Sequence, residues 1–109
     1  MAINNIINTN EANFDRLIAS TTKPILVDFY ADWCGPCKML TPILEQLSRD
    51  HKDVMVVKIN VDDNQNLAAK FAIRSVPTML IFKDGQNKES INGVLTQPQL
   101  EAKLNSYKG

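Results

Sequence analysis

Both cysteines of this chain lie in the stretch Ala31-Asp32-Trp33-Cys34-Gly35-Pro36-Cys37-Lys38, where a strand pattern ends and a helix pattern begins. The run before it, residues 25–30, is apolar enough for a strand that is covered on both faces. After it, apolar side chains recur with the 3.6-residue period of a helix, at Met39, Leu40, Ile43, Leu44 and Leu47. The pattern therefore predicts that the cysteine pair opens a helix.

The spacing of the two cysteines suits a disulfide that can open and close. Residues three apart in the first turn of a helix have β-carbons roughly 5–6 Å apart. A disulfide needs roughly 3.5–4.5 Å, so a small local adjustment closes the bond. Pro36 suits this turn, where its missing N–H costs little, and Gly35 lets another backbone approach closely.

The start of a helix also favours a charged sulfur. Its unpaired N–H groups and the positive end of its dipole stabilise a thiolate. We therefore expect Cys34, at the strand–helix junction, to be the exposed nucleophile with a lowered pKa. Cys37 should face inward and act as the resolving thiol.

Three other interpretations of the pair fit its spacing less well. A structural disulfide would close a longer loop and come with others in a small secreted chain. A zinc site needs about four ligands, and outside the pair the chain offers only His51 and carboxylates. Two inert core cysteines would not need Gly-Pro between them. The pattern favours a redox dithiol with no bound metal.

Composition narrows the class of protein. At 109 residues the chain is expected to form one domain, residues 1–109. Lys plus Arg and Asp plus Glu number 12 each, so we expect binding neither to nucleic acid nor to a membrane surface. The first residues lack the pattern of a signal peptide, and no run has transmembrane length. Free thiols then point to the reducing cytoplasm.

The rest of the chain alternates strands and helices in the predicted order βαβαβαββα, an α/β fold with a mixed sheet and helices on both faces. Expected strands span 3–7, 25–30, 54–61, 78–82 and 88–92. Asn10 is expected to cap the first helix, and Asp62 or Asp63 the third. Pro42 should kink the second helix. Asp84-Gly85 predicts a hairpin turn, and Thr96 with Gln99 a capping box.

Asp28 is the titratable residue that stands out in the apolar second strand. A carboxylate among apolar neighbours is costly to ionise, so its pKa should rise by desolvation. The alternative is a carboxylate that reaches solvent at the end of the strand.

The sequence Trp33-Cys34-Gly35-Pro36-Cys37-Lys38 resembles the active-site motif of the thioredoxin family, and the resemblance runs from the first strand to the last helix. Further matching positions are Val27 to Ala31, Pro42, Val76-Pro77-Thr78, Lys83-Asp84-Gly85 and Gly93. The resemblance implies the thioredoxin fold, a central mixed five-stranded sheet flanked by four helices, with strands four and five antiparallel to the others.

The resemblance also implies a function. The implied function is that of a general protein-disulfide reductase, in which Cys34 attacks a target disulfide and Cys37 releases the reduced target. Asp28 would serve as proton acceptor and donor for Cys37. Lys58 would modulate Asp28, or else be an ordinary strand lysine that reaches water.

Implied partners are disulfide-containing target proteins and a flavin-containing, NADPH-dependent thioredoxin reductase that restores the dithiol. The protein itself would be a monomer without a bound cofactor, its redox-active group being the Cys34–Cys37 disulfide.

A docking surface around Cys34 is implied as well, because family members carry a cis-proline opposite the cysteine pair. Here that residue is Pro77, and the Val76 backbone would pair with an extended substrate segment. The expected surface comprises Trp33, Gly35, Pro36, Val61, Val76, Pro77, Gly93 and Val94. Simpler roles are a half-buried aromatic for Trp33 and a strand terminator for Gly93.

Three residues depart from the common family pattern and bear on the choice of partner: Tyr30, Ser75 and Asn92. Two rival functions remain open. One is a disulfide-forming or isomerising enzyme on the same fold. The other is a redox-independent binding subunit.

Overall fold

The computed structural model describes residues 5–108. Its strands are β1 (Ile6–Asn8), β2 (Ile25–Tyr30), β3 (Met55–Asn60), β4 (Thr78–Lys83) and β5 (Gln86–Asn92). Its helices are α1 (Phe14–Ala19), α2 (Gly35–Asp50), α3 (Gln65–Lys70) and α4 (Gln97–Asn105). The predicted order βαβαβαββα is confirmed. The part of the first predicted strand before residue 5 lies outside the described residues.

The strands form one mixed sheet in the order β1-β3-β2-β4-β5. β3 is parallel to both β1 and β2, whereas β4 is antiparallel to both β2 and β5. The expectation that strands four and five both oppose the others is therefore wrong for β5. A two-residue hairpin reverses the chain, so β5 returns to the direction of β2. Asp84 and Gly85 make that turn with φ of 53° and 79°, the backbone that such hairpins require.

Alternate residues of β2 supply the two halves of the core. Leu26 packs with Leu40 and Leu44 of α2, whereas Val27 and Phe29 pack on the opposite face. The α2 side also includes Leu47, Met79, Ile81, Leu100 and Leu104. The opposite side includes Phe14, Ile18, Val57, Ile59, Leu67, Leu80 and Phe82. The helices thus cover both faces of the sheet, as predicted.

That alternation also places the buried aspartate. Successive side chains of a strand point to opposite faces, so Asp28 shares the face of Leu26. This is the face that α2 covers, and α2 carries Cys37 in its first turn.

Two predicted helix caps are wrong. α1 begins at Phe14, and Asn10 instead caps the turn before it, its side-chain oxygen accepting the Asn13 N–H at 3.1 Å. At α3 neither Asp62 nor Asp63 is the capping side chain. The Glu11 carboxylate accepts the N–H groups of Asn66 and Leu67 at 2.8 and 3.1 Å. This cap comes from a loop far away in sequence, so local spacing could not indicate it.

The last helix behaves as its sequence predicts. The Thr96 hydroxyl accepts the Gln99 N–H, and the Gln99 side chain accepts the Thr96 N–H, so the capping box is complete. Pro42 lies inside α2, and the predicted kink stays a prediction. Within residues 5–108, no helix combines the length and apolar character needed to cross a bilayer.

Candidate active site

The cysteine pair lies at the junction between β2 and α2. Cys34 is the N-cap residue, with an extended backbone at φ −87° and ψ 112°, and the helix begins at Gly35. Its sulfur accepts the backbone N–H of Cys37 at 3.1 Å. The two cysteines form a disulfide with their Cα atoms 5.3 Å apart, within the usual range for such bonds. The prediction that the pair opens a helix is confirmed.

Cys34 is less accessible than expected. It is 3% exposed and Cys37 is 4% exposed, so the expectation of an exposed Cys34 is wrong for this disulfide form. Its sulfur lies 3.6 Å from the carbonyl oxygen of Val76, and Val61 packs against the same cluster. Residues distant in sequence therefore cover the sulfur that the local pattern leaves open.

The local geometry favours a thiolate at Cys34 once the disulfide is reduced. A sulfur at the N-cap receives a backbone N–H and faces the positive end of the helix dipole. The N–H of Cys37 is such a donor, and it points at the sulfur of Cys34 already.

Asp28 is buried, with 1% of its surface exposed. Burial raises the pKa of its carboxyl to about 7, and the positive charge of Lys58 opposes that rise. Its Oδ1 has no hydrogen-bond partner among the described residues. The alternative in which this carboxylate reaches solvent is therefore wrong. A carboxyl with a pKa near neutral can both accept and donate a proton.

Lys58 lies beside Asp28 in the sheet, since the two residues pair directly across β3 and β2. Its ammonium donates to the Thr41 hydroxyl at 3.5 Å and lies 4.4 Å from the centre of the Tyr30 ring. Lys58 also lines a cleft of about 130 Å³, together with Cys37 and Lys38. This places the ammonium between β3 and the first turns of α2, on the Cys37 side of the site.

A second, more apolar groove of about 140 Å³ lies on the Cys34 side. Its lining includes Trp33, Val61 and Val76, which the sequence predicted, and Ile73 and Arg74, which it missed. The only available signal was their position directly before the Ser75-Val76-Pro77 turn.

Trp33 is 71% exposed, so it is not a half-buried core aromatic. Its indole N–H donates to the Asp62 carboxylate at 2.9 Å. Asp62, expected to cap a helix, therefore orients the ring beside the cysteines.

The peptide bond between Val76 and Pro77 is cis, as the resemblance implied. Pro77 itself is buried, so its ring would add little area to a docking surface, and its place in that surface stays a prediction. Its carbonyl accepts the Gly93 N–H at 2.9 Å. Gly93 has a positive φ of 90°, a backbone conformation that glycine adopts without the steric cost of a side chain. Both Gly93 and Val94 are partly exposed beside it.

No cluster of three or more His, Cys, Asp or Glu side chains within residues 5–108 is arranged to hold a metal ion. The site thus consists of a helix-capping disulfide, a buried carboxyl and an adjoining apolar groove. Such a set is typical of thiol–disulfide oxidoreductases.

Comparison with known proteins identifies the family. The family described as Thioredoxin matches residues 5–106. A thioredoxin of Haemophilus influenzae is 42% identical over 94% of this chain and 96% of its own length. A chloroplastic M-type thioredoxin of Zea mays is 38% identical over 99% of this chain. The chain spans 65% of that maize protein and 62% of its Pisum sativum counterpart.

Comparison with solved structures indicates the same family. A variant thioredoxin from Halobacterium salinarum superposes with a TM-score of 0.89 at 37% identity, covering 95% of this chain and 91% of that one. A thioredoxin from Nicotiana alata also superposes with a TM-score of 0.89, at 33% identity, and the match covers 97% of this chain and 95% of that one. The chain belongs to the thioredoxin family, whose members are thiol–disulfide oxidoreductases.

Proposed function

We propose that this protein is a general protein-disulfide reductase that donates electrons to target proteins by dithiol–disulfide exchange. One observation carries the proposal. Cys34 caps α2, and its sulfur is bonded to Cys37 while it accepts that residue's N–H at 3.1 Å. The same sulfur thus has a partner for closing the disulfide and a donor that stabilises the thiolate.

The reaction begins from the reduced form. The Cys34 thiolate attacks one sulfur of a target disulfide, and the other target sulfur leaves as a thiolate. Cys37 then loses its proton and attacks the Cys34 sulfur in the mixed disulfide. The second target sulfur leaves, so the target gains two electrons and the protein ends with the Cys34–Cys37 disulfide.

We assign Asp28 as the group that takes the proton from Cys37, through a water molecule. Its burial and a pKa of about 7 suit a group that must change charge near neutral pH. Lys58 limits the rise in that pKa, since its ammonium favours the carboxylate. Lys58 is therefore a modulating residue.

Targets would dock on the partly exposed surface around Cys34. The Val76 backbone would pair with an extended segment of the target, a form of strand addition. The proposed surface comprises Trp33, Gly35, Pro36, Val61, Val76, Gly93 and Val94, with Pro77 as its buried support. Ile73 and Arg74 extend it along the apolar groove.

We further propose that residues 1–109 form one domain that acts as a monomer in the cytoplasm. A disulfide reductant works best where the surroundings keep thiols reduced. A flavin-containing, NADPH-dependent thioredoxin reductase would restore the dithiol. No bound cofactor is required, because the sulfur pair itself carries the two electrons.

The test is a trapping experiment with insulin as the disulfide substrate. Reduced Cys37→Ser protein should accumulate a mixed disulfide through Cys34, whereas Cys34→Ser should form almost none. The unmodified protein should reduce insulin with dithiothreitol as electron donor. Equal trapping by the two variants would overturn the roles given to the cysteines. A reduction potential above about −200 mV would favour a disulfide-forming enzyme instead.

A further inference from the structure

The side chain of Thr78 joins two segments that flank the site. Its hydroxyl oxygen lies 2.7 Å from the carbonyl oxygen of Ser75 and 3.1 Å from the side-chain oxygen Oδ1 of Asn92. Thr78 is only 3% exposed, so water does not readily replace these partners. Thr78 and Asn92 are also directly paired across β4 and β5.

The side chains of Asn92 and Thr78 and the carbonyl of Ser75 form a relay of two hydrogen bonds. The number of protons that each group can donate decides the direction of this relay. A hydroxyl has one proton to donate, and the Ser75 carbonyl can only accept. The shorter contact, to Ser75, is therefore the one that Thr78 donates. Oδ1 of Asn92 can only accept as well, so the one hydroxyl proton cannot serve both oxygens. A half-turn of the carboxamide puts Nδ2 in the place of Oδ1, and Asn92 then donates an N–H to the Thr78 oxygen. The order is Asn92 to Thr78 to the Ser75 carbonyl.

This relay ends beside the reactive sulfur. Ser75 directly precedes Val76, whose carbonyl lies 3.6 Å from the sulfur of Cys34. On the other side of Val76, the Pro77 carbonyl accepts the Gly93 N–H at 2.9 Å. The end of β5 therefore holds the segment 75–77 at both of its ends, once through the relay and once directly.

We propose that Asn92 is a positioning residue that fixes segment 75–77 and thereby sets the affinity for polypeptide disulfides. The proposal rests on the reductase function above and deepens it. A polypeptide target must pair with Val76, so it needs that segment in place. A small disulfide needs only the sulfur of Cys34. Asn92 thus favours protein substrates over small ones.

Steady-state kinetics with two substrates, insulin and hydroxyethyl disulfide, test the proposal. Asn92→Ala and the isosteric Thr78→Val should each raise KM for insulin about two- to tenfold, the effect of one lost hydrogen bond, with kcat nearly unchanged. Neither should change the rate with hydroxyethyl disulfide. The double variant should be no worse than either single one, because both break one relay.

Conservative variants test the direction of the hydrogen bonds in the relay. Thr78→Ser keeps the hydroxyl and should retain the KM of the unmodified protein. Asn92→Asp loses the donor and draws the Thr78 proton away from Ser75, so its KM should rise at least as much as that of Asn92→Ala. Asn87→Ala, on the same strand but near the hairpin turn, is the matched control and should change nothing. An Asn92→Asp variant with an unchanged KM would overturn the relay.

Hydrogen exchange separates this proposal from the reductase function. The Gly93 N–H is held by Pro77, so its exchange should speed up in Asn92→Ala and Thr78→Val but not in Asn87→Ala. Unchanged exchange and unchanged KM, or equal losses with both substrates, would refute the role of Asn92 even in an active reductase. If the unmodified protein fails to reduce insulin, the reductase function falls, whereas the exchange result still decides the relay.

Discussion

The backbone N–H of Cys37 donates a hydrogen bond to the sulfur of Cys34, 3.1 Å away. This bond joins the two reacting residues in the disulfide form. A donor in this position favours the thiolate over the thiol, so the attacking and resolving sulfurs should differ in reactivity.

Alkylation of the reduced protein measures this difference. Near neutral pH, iodoacetamide should label Cys34 at least about tenfold faster than Cys37, since the thiolate is the reacting species. Cys37→Ser should keep the fast labelling at Cys34, because its backbone N–H remains. Peptide mapping identifies the labelled residue, and preferential labelling of Cys37 would contradict the assignment.

Asp28 should make stability depend on pH. Its pKa is about 7 in the fold and 3.8 in the reference state, so between these values the folded protein binds more protons than the unfolded chain. The free energy of unfolding therefore falls as pH rises from about 4 to about 7, and levels off above.

The matching variant removes that dependence. Asp28→Asn should be more stable than the unmodified protein at about pH 8, by on the order of 3 kcal/mol, and nearly equal to it below about pH 4. Urea unfolding of the oxidised proteins at both pH values measures this. Asp63→Asn, at an exposed site, serves as the control. Equal stabilities at about pH 8 would show that the carboxyl is not destabilised by burial.

Lys58 should hold the pKa of Asp28 down. Removing its charge in Lys58→Met removes the interaction that opposes desolvation, so the pKa of the Asp28 carboxyl should rise above about 7. Carboxyl carbon chemical shifts followed through a pH titration report the midpoint. Lys88→Met, whose exposed ammonium contacts Gln86 instead, should leave the midpoint unmoved. A midpoint that falls or stays in place in Lys58→Met would exclude the modulating role.

Glu11 should stabilise the fold from a distance. Its carboxylate accepts two N–H groups at the start of α3, so Glu11→Ala leaves two donors to water and should cost about 0.5–2 kcal/mol, as for other N-caps. Glu11→Gln keeps an accepting oxygen and should cost less. Urea unfolding at neutral pH gives both values. A neutral effect of Glu11→Ala would mean that water replaces this cap without cost.

The elements near the cysteines were predictable because their signals are local. The apolar run of residues 25–30 and the periodic residues after Lys38 fix a strand followed by a helix. The Asp84-Gly85 turn and the Thr96 capping box are equally local, and all four were found where they were expected. Interactions within about four residues decide each of them.

The burial of Cys34, the cap on α3 and the relay through Thr78 were not predictable in this way. Each depends on a contact between segments that the tertiary structure, and not the local chain, brings together. Val76 lies 42 positions from Cys34, and Glu11 lies 55 positions from Asn66. Spacing along the chain gives no information about such contacts.

The sequence by itself determined the pair of sulfurs at a helix start, the alternation of strands and helices, and a carboxyl in an apolar strand. Tertiary structure decided which backbone covers Cys34, that Asp28 is shielded from water, and that Asn92 reaches the segment beside the sulfur. The physical reason is the separation along the chain of the residues that interact. Helix periods, caps and turns are local in the chain, whereas desolvation and packing depend on whatever the sheet brings alongside.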